Sequence, residues 1–138
     1  MKLHINKLLL IPAGLTFFSS SLFSQFTLKI EITDIRNNTG KIMLEVLDEK
    51  EKVINQQMAD IKDNRGSFII GNLPAGRFAV RFYHDENLNQ KMETNMFGKP
   101  TEGYGFSNNV SEKFGMPPFE KWLFELNEDK TIVLKTVY

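Results

Sequence analysis

Asp85, Asn87 and Asn89 stand at alternate positions, and Glu93 follows four residues after the last of them. Side-chain oxygens spaced in this way let a short loop curl around one hard cation. Calcium takes about six to eight oxygen ligands at roughly 2.3–2.6 Å and is the ion such a set would hold. Counted from Asp85, Lys91 stands at the seventh position, where an EF-hand loop contributes a backbone carbonyl. Two features of that loop are missing: its twelfth position is Met96 instead of a bidentate glutamate, and its sharp-turn position is Gln90. A left-handed backbone at a residue other than glycine costs on the order of 1–2 kcal/mol. The same residues also fit an Asx-turn loop, in which Asp85 and the two asparagines bond the backbone and no metal is held.

Other candidate chemistry is sparser. The chain has no cysteine, which removes disulfides, thiolate metal sites and cysteine nucleophiles together. His84 follows Phe78, Val80 and Phe82 in alternation and is expected to point inward at a strand end, beside a carboxylate. Ser107 and Ser111 have no nucleophile-elbow context for a Ser-His-Asp arrangement. Asp85, Glu93 and Glu102 could pair as carboxylates for sugar hydrolysis, but any acidic loop offers as much. Tyr104, Phe106, Phe114, Phe119 and Trp122 admit two readings, a miniature core of their own or a stacking surface for a glycan, peptide or protein partner.

The elements that must position these residues are strands. Phe26 to Thr33 alternates apolar and polar without a break. Gly40 to Leu47 sets Ile42, Leu44 and Val46 on one face, and Arg77 to His84 alternates Phe78, Val80 and Phe82 against Arg77, Ala79, Arg81 and Tyr83. Asn37-Asn38-Thr39-Gly40 and Asp63-Asn64-Arg65-Gly66 are turn signals. No apolar stripe of helical period occurs beyond the first two dozen residues. The pattern predicts an all-β domain over 25–138: a single antiparallel sandwich, Ig-like or transthyretin-like, of about seven strands. One stretch, Asp85 to Lys121, breaks the alternation. It is rich in Gly and Pro yet carries Met92, Met96, Phe97, Tyr104, Phe106, Phe114, Met116 and Phe119, so an ordered functional loop is expected there.

Residues 1–24 read as a secretory signal peptide: Lys2 and Lys7 precede the uncharged Leu8–Phe18 stretch, and a small polar tail ends at Ser24. The apolar stretch is too short and too interrupted by Pro12 and Gly14 for a transmembrane anchor. Seventeen Lys and Arg balance seventeen Asp and Glu with no basic block, so nothing marks a nucleic-acid partner.

The string from His84-Asp85-Glu86-Asn87-Leu88-Asn89 through Glu93-Thr94-Asn95, Gly98-Lys99-Pro100 and Glu102-Gly103-Tyr104-Gly105-Phe106-Ser107-Asn108-Asn109 resembles the secreted bacterial proteins grouped as domain of unknown function 2141. Leu73-Pro74-Ala75-Gly76-Arg77-Phe78 matches the strand lead-in of the same family. The likeness covers essentially all of 25–138. It departs at Gln90, where the family carries glycine, and at Glu93, where it carries aspartate. The resemblance implies export and a β-sandwich, with no established activity.

The expectation is therefore a secreted or periplasmic, non-catalytic module. Its long loop would hold calcium through Asp85, Asn87, Asn89 and Glu93, and would present His84, Glu102, Tyr104, Phe106 and Asn108 to a protein or glycan ligand. The alternative is a small exported enzyme or small-molecule carrier with a loop-covered pocket around His84, Asp85 and Glu102.

Overall fold

The computed structural model describes residues 23–138. The expected leader, residues 1–24, lies outside the described residues apart from Phe23 and Ser24. The strands are β1 (Gln25–Thr33), β2 (Lys41–Asp48), β3 (Val53–Asp60), β4 (Gly66–Pro74), β5 (Gly76–Asp85), β6 (Tyr104–Phe106), β7 (Phe124–Leu126) and β8 (Lys130–Lys135). They form a three-stranded sheet ordered β4-β1-β8 and a five-stranded sheet ordered β3-β2-β5-β6, with β7 also paired to β5. Among the described residues no helix is long and apolar enough to cross a membrane.

The period-two pattern does what it predicts. Leu28, Ile30 and Ile32 of β1 are buried while Lys29 and Glu31 are exposed, and Ile42, Leu44 and Val46 of β2 meet Phe78, Val80 and Phe82 of β5 in the same core. Each fully buried Leu, Ile or Phe contributes about 1.5–3 kcal/mol of transfer free energy, so this interface accounts for the cohesion of a chain without disulfides.

Three details depart from the expected sandwich. One pairing is parallel: β7 lies on the start of β5, and the chain then crosses to the other sheet and enters beside β1 in the same direction. Asp129 fixes that crossing by accepting the Thr27 backbone N–H at 2.8 Å. Val53–Ile61, whose sequence fits either a strand or a short irregular segment, is a full edge strand through Asp60. The 85–121 excursion is also divided, because β6 pairs with Arg81–Tyr83 and splits it into two shorter loops. A bent backbone around Tyr104 would account for Gly103 and Gly105, but the reason is close approach. A Cβ on Gly105 would stand 2.5 Å from Phe82 Cε1, and one on Gly103 would stand 2.5 Å from the Tyr138 ring.

Candidate functional site

β6 and β7 lie end to end along one edge of β5. The chain joining them, and the chain entering β6, both rise over the outer face of the five-stranded sheet. These two loops are the walls of the candidate site, and the outer face is its floor.

The first wall begins at the residues with cation-loop spacing. Asp85 is buried, and its two carboxylate oxygens accept the backbone N–H groups of Asn89 at 3.1 Å and Gln90 at 2.8 Å. Asn87 Oδ1 also accepts from Asn89 N at 3.1 Å, and Asn89 Oδ1 accepts from Lys91 N at 2.9 Å. The side-chain amides of Asn87 and Asn89 both donate to Glu93 Oε1 at 2.8 Å. Asp85, Asn87, Asn89 and Glu93 are thus brought into one loop, closed by hydrogen bonds. They are the residues that could hold a cation, and both amides would have to turn their oxygens toward Glu93 to do so. Gln90 takes φ 59°, the left-handed turn that its position demands.

Glu102, also buried, ties the two ends of this loop together: one oxygen accepts from Glu86 N at 3.1 Å and the other from Glu93 N at 3.3 Å. Beyond Glu93 the chain makes a small hairpin in which Thr101 N donates to Glu93 O at 2.9 Å and Asn95 N to Lys99 O at 2.8 Å. Asn95 Oδ1 accepts from Phe97 N and Lys99 N, so the tip is held with Met96 and Phe97 almost fully exposed.

The second wall is anchored by Ser107-Asn108-Asn109. Ser107 Oγ accepts the Val80 N–H at 2.9 Å and donates to the Trp122 carbonyl at 2.6 Å. Asn108, at φ 61°, donates both amide hydrogens to the carbonyls of Lys121 and Leu123. Below them Phe106 stacks on Trp122 at 4.2 Å between ring centres, over Leu47 and Ala79. This second apolar cluster sits on the outer face, where alternation places water-facing side chains. Alternation assigns Ala79 to that wet side; it is fully buried because Trp122 and Phe106 cover it. Phe106 and Tyr104 therefore serve as floor and packing at once, while Asn108 is a clamp on the wall.

Between the walls lies an open cleft of about 990 Å³. Cross-strand registers give its floor two parallel rows. Met43, Tyr83 and Tyr104 form one; Glu45, Arg81 and Phe106 form the other. Arg81 and Glu45 neutralise each other at 2.5 Å, and Gln56 reaches the same carboxylate. Met92, Phe97 and Pro100 line one side, and Phe114 and Met116 the other. Burial, reinforced by the carboxylates of Asp85, Glu102 and Glu45, raises the Tyr83 phenol above its ordinary pKa, so it stays a neutral donor. Lys99 and Lys113 stand on opposite walls, and among the described residues neither ammonium has a carboxylate within 4.0 Å.

The pocket expected around His84, Asp85 and Glu102 is not this cleft, because none of the three lines it. His84 is completely buried on the core side. Its Nε2 donates to the Thr39 carbonyl at 2.6 Å, which leaves Nδ1 to accept from the Tyr138 hydroxyl at 2.9 Å. The neighbouring carboxylate is Glu86, at 3.7 Å from Nδ1 and paired with Arg36. Both ring nitrogens are engaged in holding the turn before β2 and the chain end, with no contact to Ser107. The floor residues Met43, Glu45, Arg81 and Tyr83 escaped the sequence reading because they occupy wet-face positions of strands. Met43 and Tyr83 were the available signal, as large apolar and aromatic residues where charged ones are usual.

Fold and site together define a β-sandwich module with a loop-walled apolar cleft on the outer face of its larger sheet. The chain belongs to the bacterial family described as uncharacterized protein conserved in bacteria (DUF2141), which matches residues 30–133 and bears out the resemblance seen in the residue string. No curated protein and no solved structure matches the chain.

Proposed function

We propose that this chain is an exported, non-catalytic binding module whose cleft receives a ligand with an apolar body and an anionic end. The observation that carries this reading is the composition of the cleft. Its floor and walls are rich in methionine and aromatic side chains, and its carboxylates Glu45 and Glu112 are paired with Arg81 and Lys121. Among the described residues its two unpaired charges, Lys99 and Lys113, are both ammonium groups. Ligand sites of a few hundred to about 1,000 Å³ are typically apolar with a few placed polar groups. Methionine supplies adaptable contact, which suits an aliphatic chain better than the polar rings of a glycan. Export is supported by the Lys2 and Lys7 residues ahead of the Leu8–Phe18 apolar stretch. The non-catalytic reading is supported by the engagement of His84, Asp85, Glu102 and Ser107 in structural hydrogen bonds.

Calorimetric titration with dodecanoate and with uncharged dodecanol tests the reading. Dodecanoate gives a saturable one-to-one heat. The double variant Lys99→Glu/Lys113→Glu weakens dodecanoate by about tenfold or more and leaves dodecanol within about twofold, since each exposed charge contributes about 1 kcal/mol. Equal, unsaturable heats for both compounds would refute it.

A further inference from the structure

β3 is the outer edge of the five-stranded sheet, and among the described residues no strand pairs with its far side. The other sheet edges carry blocks. On β8, Asn109 accepts from Lys135 N at 2.8 Å and donates to Val133 O at 3.0 Å, so a side chain occupies the edge. β4 contains Gly71, ends at Pro74 and lies against β3, where Gln57 Nε2 reaches the Ile69 carbonyl at 3.4 Å. The edge of β5 is filled by β6 and β7. Apart from that same contact to β4 through Gln57, β3 has none of these devices. It runs Val53-Ile54-Asn55-Gln56-Gln57-Met58-Ala59-Asp60 without Pro or Gly, and Ile54 and Met58 are 41% and 53% exposed. An open edge of this length with apolar side chains is a template for another strand.

We propose that two copies of this chain pair antiparallel through β3 about a twofold axis at Gln56. In that register Gln56 faces itself, Ile54 of one copy meets Met58 of the other, and Lys52 of one copy meets Asp60 of the other. On the core-side face Asn55 meets Gln57. Asn55 Oδ1 is buried without a hydrogen-bond partner. The facing Gln57 amide gives one N–H to the Ile69 carbonyl of its own chain and has its second N–H for that oxygen once the Asn55 side chain turns toward the edge. Sliding the pairing by two residues sets Ile54 against Asp60 or against Gln56, so one register alone joins like with like and opposite charges together. The paired sheets become continuous, with both clefts opening on the same side.

The chain has no cysteine, so single cysteines report the register directly. Across the axis the two copies of residue 56 lie about 5 Å apart, within disulfide reach, while the two copies of residue 54 are separated by roughly 14 Å. Mild oxidation of Gln56→Cys is expected to give a covalent dimer and that of Ile54→Cys to leave monomer. In sedimentation equilibrium the purified protein approaches twice the monomer mass. Ile54→Lys weakens association by about tenfold, and Ile54→Lys/Met58→Glu, which places opposite charges across the pair, restores it. A monomer at every concentration to about 1 mM, or cross-linking of both cysteines at equal rates, overturns the proposal.

Discussion

The Tyr138 hydroxyl donates to Nδ1 of His84 at 2.9 Å, and the Arg36 backbone N–H reaches the same hydroxyl at 3.1 Å. This single oxygen joins the end of β5, the chain after β8 and the turn between β1 and β2. Tyr138→Phe leaves a buried ring nitrogen unpaired and is expected to cost about 1–2 kcal/mol in urea denaturation.

The same residue sets an alkaline limit. Burial, with Glu86 adding to it, raises the Tyr138 phenol above its ordinary pKa against the opposing Arg36 backbone hydrogen bond and charge. The unfolded chain therefore loses this proton first. The stabilisation is complete below about pH 10 and declines as pH climbs from there through the folded value. The urea midpoint of the native chain should fall as pH rises above about 10, and Tyr138→Phe should fall less steeply.

Ser107 offers a second test of the wall's foundation. Its hydroxyl is the partner of the Val80 N–H inside a fully buried site. Ser107→Ala is expected to destabilise by about 1–3 kcal/mol, with amide exchange at Val80 accelerated relative to its neighbours in β5.

Gln90 stands with φ 59° where glycine would be relaxed, and its side chain is exposed. Gln90→Gly should raise stability by up to about 1 kcal/mol, read as a higher melting temperature with an unchanged urea slope.

Loop order resting on hydrogen bonds has a consequence for metal. Asp85, Asn87, Asn89 and Glu93 already bond one another and the backbone. Chelator treatment should leave the melting temperature unchanged. A rise under millimolar calcium would show the amides turning to ligate, with a gain of about 1 kcal/mol at most for an ion of millimolar affinity.

Much of the scaffold was legible because alternation is a direct record of burial: Leu28, Ile30 and Ile32 announce their strand without help. The parallel β8 was not, since direction depends on where β7 leaves the chain, and Asp129 looks like any turn residue until it meets Thr27. The carboxylates of the central motif were found, but the donors to Asp85 and Glu102 are backbone N–H groups, which carry no residue-specific signature. The cleft floor was missed for a related reason. Met43 and Tyr83 become a site only when two distant loops fold over the face they share.

Methionine methyl resonances test the binding claim most directly, because the described methionines divide between the cleft and its surroundings. Met43, Met92 and Met116 line it, whereas Met58 and Met96 do not. Titrating dodecanoate into methyl-labelled protein should shift the first three saturably and leave Met58 and Met96 in place. Uniform shifts of all five, or none at any concentration below micelle formation, would contradict the account.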